Sequence, residues 1–401
     1  MRMKKLMIIA VAAIALAACS KTFDHSNAAS EGNAIGFGTW TEVLTKSEHR
    51  VAGTNTFLSG DTFDVWGYKT VSATTTNVFA GDVVTAQSAS QNEGETVSEW
   101  TYSPLRFWDA TASSYTFFAV SPSGNVATSP AAQTGEYTGL FTSKSITFGG
   151  HDNDILVATK KVVDASNGTP KYSNDAVQID FNHVASLIDI KVKKDAALPS
   201  AAKLKITTAT LTAIANSGTF TVASYDETTK KPIIGSTAYG WVAANSTDTY
   251  TASATLPLEV TIKTTYDGTS HASTGSTDNS DNAASVPDDV QDLFTNFVLM
   301  PQVIANGSQA LHIVYKIVTQ EADANANPAV PEIATEYTAD VPIKNFVTTD
   351  DKDNPDPKAS SSWDPGKHYI YILTIGANAI SFTASINDWG TSIIGYNYLI
   401  N

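Results

Sequence analysis

One cysteine, Cys19, stands in a chain of 401 residues. No disulfide can form within it, so an exported form must be held together by its cores alone. Methionine is scarce, with four. The body is also poor in the Glu, Lys, Leu and Arg that fill helices and rich in Thr, Ser, Ala, Val and Ile, so most segments are expected to be strands. Arginine occurs only at Arg2, Arg50 and Arg106. With 25 Lys and Arg against 40 Asp and Glu, the formal charge is −15. Such a surface repels nucleic acid and anionic lipid headgroups, which excludes nucleic acid as a partner, and it keeps an exported protein in solution. The most apolar run, Leu6 to Leu16, is too short to span a bilayer.

Chemical motifs are missing too. No nucleophile elbow, zinc helix with paired histidines, phosphate-cradling glycine loop or Cys-x-x-Cys pair occurs. The seven histidines are scattered, and no two lie at metal-ligand spacing. His183 and His312 sit inside strand-like segments and are expected to be hydrogen-bonded and partly buried. Asp351 and Asp353 suggest an EF-hand, but the third ligand position is Pro355, and the turn glycine and terminal glutamate are absent. Acidic pairs are plentiful, yet none is singled out as a glycosidase pair. No catalytic residue, metal ligand or cofactor is therefore expected, and the chain reads as a non-enzyme. The seven tryptophans, at 40, 66, 100, 108, 241, 363 and 389, are expected in sandwich cores or rims rather than on a sugar-stacking platform.

What is present begins with Arg2, Lys4 and Lys5, followed by the apolar run and Leu16-Ala17-Ala18-Cys19. This is the grammar of a lipoprotein signal peptide over residues 1–18. It predicts lipidation of Cys19, where two buried acyl chains give durable anchoring, and a lipid-anchored linker over residues 19–33. Ser20 in place of aspartate resembles outer-membrane lipoproteins.

Period-two alternation runs through the body. In TLPLEVTI the residues Leu256, Leu258, Val260 and Ile262 share a face; in EYTADVPIK it is Tyr337, Ala339, Val341 and Ile343; in AISFTASIN, Ile380, Phe382, Ala384 and Ile386. Each predicts a half-buried antiparallel strand, with Pro257 and Pro342 marking edges or bulges because proline donates no ladder bond. FDVWGYK, YTFFAVS and HYIYILTI are apolar on both faces and suit central strands. SVPDDVQDLF, Ser285 to Phe294, predicts a turn or two of helix. Thr265 to Ser285 and Thr348 to Ser362 are polar linkers. A small-residue junction, Asp195 to Ala202, divides the rest. The expected fold is all-β, two tandem antiparallel β-sandwich domains over residues 34–195 and 196–401.

The order of AIGFGTW, EHRVAG, FLSGDTFDVWGY, YTFFAVSP, FNHVASLIDIKV, FVLMPQ and WDPGKHYIYILTI resembles the fimbrillin-like family of Bacteroidetes, subunits of type V pili and related surface lipoproteins. That resemblance implies transthyretin-like sandwiches and a structural, adhesive role. It implies cleavage after a basic residue in the loop following the first strand, and Arg50 occupies the matching place. The released strand would leave a groove for another subunit's extended segment, which makes other pilus subunits the partners, as homo- or heteropolymer. It also implies attachment to the outer membrane through the N-terminal lipid, surface exposure, location in the fimbrium after maturation, and contact with host or bacterial surface glycans or proteins. Ile394, Tyr396, Tyr398 and Ile400 alternate in TSIIGYNYLIN and form the candidate donor strand, or else the last strand of their own sandwich. The alternative to polymerisation is a glycan-binding surface lipoprotein that never assembles.

Overall fold

The computed structural model describes residues 34–40, 57–88, 97, 99–109, 111–128, 141–151, 153–163, 176–226, 231–234, 241–244, 247–260, 290–304, 308–345, 347–349, 357–359, 362–377 and 380–388. Among them regular structure is strand throughout, apart from one 3-10 turn at Ile343–Asn345. The all-β class expected from composition is what the chain adopts.

An antiparallel sheet of six strands opens the fold. Its order is Asn182–His183, Leu156–Val163, Ser114–Ser121, Thr62–Val71, Thr74–Gln87, Glu99–Thr101. Alternation sorts its side chains onto two cores. Phe63, Val65, Tyr115, Phe117 and Ala119 face one, and Trp66, Tyr68, Phe118 and Val120 face the other. FDVWGYK and YTFFAVS are thus adjacent central strands covered on both sides.

The second of these cores is closed by a sheet that draws on distant parts of the chain. Ser217–Asp226 pairs with Phe141–Ser143 and Ile146–Thr147 as well as with Lys231–Ile234 and Trp241–Ala243. Phe141, Ile146, Phe148, Phe220 and Trp241 pack there.

A third core lies between two further sheets. One has the order Gln291–Leu299, Ser186–Lys194, Lys367–Ile375, Ile380–Asp388, Val347–Thr349, Pro357–Ala359; the other runs Thr247–Thr251, Lys203–Ala215, Ala310–Gln320, Ile333–Pro342, with Leu258–Val260 also on Lys203–Ala215. Ile188, Ile190, Tyr369 and Tyr371 meet Leu204, Ile206, Ile313 and Tyr315 between them. HYIYILTI is central as expected. Among the described residues Ile333–Pro342 is an edge strand, with no outer neighbour to require a donor from Pro342.

Several expectations take a different form. Among the described residues three pairings are parallel: Ser186–Lys194 with Lys367–Ile375, Phe37–Trp40 with Val177–Asp180, and Val347–Thr349 with Ile380–Asp388. Parallel neighbours need long connections and cover on both faces, which the buried patterns of the first pair supply. The predicted helix is overturned over its described part, because Gln291–Leu299 is a strand against Ser186–Lys194. Leu293 and Phe294 are both buried at a register shift, and the partner strand offers ladder bonds along the whole segment. The polar linker at 348–362 contains a short antiparallel pairing of Val347–Thr349 with Pro357–Ala359. The junction at Asp195–Ala202 is a turn between strands that share the third core, its carbonyls of Pro199, Ser200 and Ala202 gathered by the buried Lys194 ammonium.

Candidate functional site

The first described strand, Phe37–Trp40, and the residues leading into it are held between two parts of the chain. In Ala34-Ile35-Gly36-Phe37 the two large side chains fall at i and i+2 and point the same way, and both are buried. The backbone is held on two sides. Ile35 N–H donates to Arg106 O at 2.8 Å, and Ala34 bridges Phe107 in antiparallel fashion. On the other side Val177 N–H donates to Gly36 O at 2.8 Å, and Phe37 pairs in parallel with Val177.

Phe37 fills an aromatic seat. Its ring lies 5.9 Å from Phe63, 5.4 Å from Phe79, 5.7 Å from Tyr102 and 5.8 Å from Phe117, all edge-on. Such contacts add about 0.5–1.5 kcal/mol each beyond area burial. Gly67 makes room for the floor of the seat. A Cβ there would stand 2.6 Å from Phe79 Cδ2 and 3.2 Å from Phe117, so the two rings occupy the space that any other residue would claim. Phe57 extends the wall, packing on Trp100 and Phe181. Deprived of Ile35 and Phe37, the seat would present Phe63, Phe79, Phe117, Val177 and Ile179 to water.

Polar groups fix the rim. Tyr102 donates its hydroxyl to Ile35 O at 2.6 Å, and burial raises its pKa, so it remains a donor across the neutral range. Lys69 and Asp109 pair at 2.6 Å. The Lys69 hydrogen bond, then the hydroxyl and amide of Thr111, hold the Asp109 carboxyl well below the usual carboxylate range. Arg106 reaches Asp82 at 3.3 Å, and Lys160 ties Asp180 at 3.1 Å.

Two of the described histidines are bonded to carboxylates within the fold. His183 bonds Asp154 at 2.9 Å, both buried, and His312 bonds Asp340 at 2.7 Å, as expected of hydrogen-bonded strand histidines. Among the described residues no three His, Cys, Asp or Glu form a metal-holding group. Trp66, Trp241 and Trp363 are buried, and Trp100 and Trp108 are half-buried in aromatic clusters.

Cys19, Arg50, Ile394, Tyr396, Tyr398 and Ile400 lie outside the described residues. Arg50 nevertheless falls in the stretch joining Trp40 to Phe57, so a cut there leaves residues 34–40 attached by noncovalent contacts alone. Sequence reasoning did not find the seat itself. Its one local signal is a glycine amid aromatics in Trp66-Gly67-Tyr68.

The model of the fimbrillin-like family matches residues 50–270. No curated protein matches. Among solved structures, a fimbrial protein from Bacteroides vulgatus is 19% identical, with 89% of this chain and 99% of that one covered and a TM-score of 0.49. A candidate cell adhesion protein from Bacteroides uniformis is 14% identical, with 90% and 100% covered and a TM-score of 0.43. A fimbrilin from Porphyromonas gingivalis is 11% identical, with 90% and 98% covered and a TM-score of 0.35.

Proposed function

The chain belongs to the fimbrillin-like family, and from that premise we propose that it is a structural, adhesive subunit of a type V pilus whose assembly is gated by proteolysis. The precursor is exported, lipidated on Cys19 and held at the outer membrane. Cleavage after Arg50 frees residues 34–40, and an extended segment of another subunit takes their place. The alternating Ile394, Tyr396, Tyr398 and Ile400 are the proposed donor.

The observation that carries this reading is the seating of Ile35 and Phe37. Two buried side chains contribute about 1.5–3 kcal/mol each, enough to close the seat while the strand is tethered. Once cut, the strand loses the high effective concentration that its covalent link supplies. A longer strand from a neighbour replaces both the ladder bonds and the pocket-filling side chains. No reaction centre is required.

N-terminal sequencing of surface-extracted protein tests the scheme. A lipid-blocked Cys19 in the precursor and a free Val51 in assembled material are expected. Assembled material that still begins at Cys19 would refute gating by cleavage.

A further inference from the structure

Arg106 is the one arginine among the described residues, and it lies in the irregular segment between Glu99–Thr101 and Ser114–Ser121. Its neighbours Leu105 and Phe107 are 49% and 50% exposed. The guanidinium reaches Asp82 at 3.3 Å, a pair open enough to water to hold the side chain only weakly. The backbone is tied to the residues leading into the first described strand. Arg106 O accepts the Ile35 N–H at 2.8 Å, and Phe107 bridges Ala34. The Tyr102 hydroxyl joins the two, donating to Ile35 O at 2.6 Å and accepting the Arg106 N–H at 3.3 Å.

We propose that the Arg106–Phe107 peptide bond is a latent cleavage site for an arginine-specific protease, masked while Ala34 and Ile35 are seated beside it. Such a protease needs the guanidinium in its specificity pocket, the substrate backbone along its cleft, and the carbonyl oxygen of the arginine in its oxyanion hole. In the seated chain Ile35 N–H occupies that oxygen and Ala34 covers the same backbone edge. Once both leave, the oxygen and the edge are free, and the exposed flanks give the protease room. Water then adds across the amide: the C–N bond breaks, the hydroxyl joins the Arg106 carbonyl carbon, and a proton goes to the Phe107 nitrogen. The mask itself does not depend on cleavage at Arg50. Its consequence for assembly rests on the strand-exchange reading above. A segment that refills the seat restores the cover, whereas a subunit left empty is cut between two strands of its own six-stranded sheet.

The test treats the full chain carrying Arg50→Ala, in which Arg106 is the one arginine beyond Arg2, with an arginine-specific protease. Ile35→Asp or Phe37→Ala is added to unseat the strand, and Ile313→Ala, in the third core, controls for general loss of stability. The expected result is a cut that appears at least tenfold faster in the unseated chains, with Phe107 as the new N-terminus, and that Arg106→Lys abolishes. Equal rates with the strand seated and unseated overturn the mask, as does an unseated chain that stays whole. Ile313→Ala opening the bond as fast as Ile35→Asp also overturns it, assigning the cut to global unfolding. Assembly is read separately in the wild type. SDS-resistant ladders that keep Arg106–Phe107 whole, with cutting confined to unassembled chains, support the consequence; ladders cut at Arg106 overturn it. A wild type that forms no ladders removes the strand-exchange reading and that consequence, while the rates in the Arg50→Ala chains still decide the mask.

Discussion

The ring of Phe37 meets that of Phe117 edge-on, centroids 5.8 Å apart and planes at 89°. Residues far apart in the chain thus share one contact, and that contact helps hold the first strand. Phe37→Ala should weaken the seating by about 3–5 kcal/mol, the usual loss for a buried phenylalanine. After cleavage, the fragment ending at Arg50 should separate from the body on size exclusion far sooner than in wild type. Equal retention of the two fragments would show that the aromatic seat does not hold the strand.

Arg50→Ala should block maturation and filament growth while leaving the fold intact. Normal ladders from this variant would remove Arg50 from the mechanism.

Gly67→Ala tests the floor of the seat. The added methyl must displace Phe79, whose ring atom stands 2.6 Å from the Cβ position, and overpacking of this kind costs about 1–3 kcal/mol. The denaturant midpoint should fall with an unchanged slope. An unchanged midpoint would mean that the rings shift freely.

Asp189 and His368 give a pH prediction. His368 Nε2 lies 3.0 Å from Asp189 Oδ2, and Asn296 N–H also donates to the carboxylate. Burial pushes the Asp189 pKa up, but the His368 hydrogen bond and charge, with Asn296, outweigh it, so the net shift is downward. A depressed carboxyl stabilises the fold above its unfolded pKa of about 3.9, and that contribution is lost as pH falls through the lower folded value. Asp189→Asn should therefore cost about 1–3 kcal/mol at neutral pH, with the gap to wild type narrowing in acid. Urea unfolding at several pH values measures it, and a gap that widens toward acid would contradict the assignment.

The same pair shows what could be read in advance. FNHVASLIDIKV and WDPGKHYIYIL were visible as strands, and HYIYILTI as a central one, because apolar residues on both faces are a local property. That Leu187 lies beside His368 in a parallel pairing was not visible. Nor was the fact that Ser186 donates to Asp364 O, or that Gly366, at φ +67°, must sit against His183 O. The edge position of Pro342 was legible, since a missing donor is written into the residue. Over its described part the helix expected at Ser285 to Phe294 is a strand, because pairing with Ser186–Lys194 outweighs local capping signals.

By itself, the sequence determined an all-β chain of acidic composition with an arginine between Trp40 and Phe57. These follow from composition, from side-chain alternation and from short motifs, all readable within a few residues. Only the tertiary structure decided that Phe37 sits among Phe63, Phe79, Tyr102 and Phe117, and that Val177–Asp180 lies beside it. Such partners are chosen by which apolar faces can leave water together, and no stretch of chain records its distant neighbours.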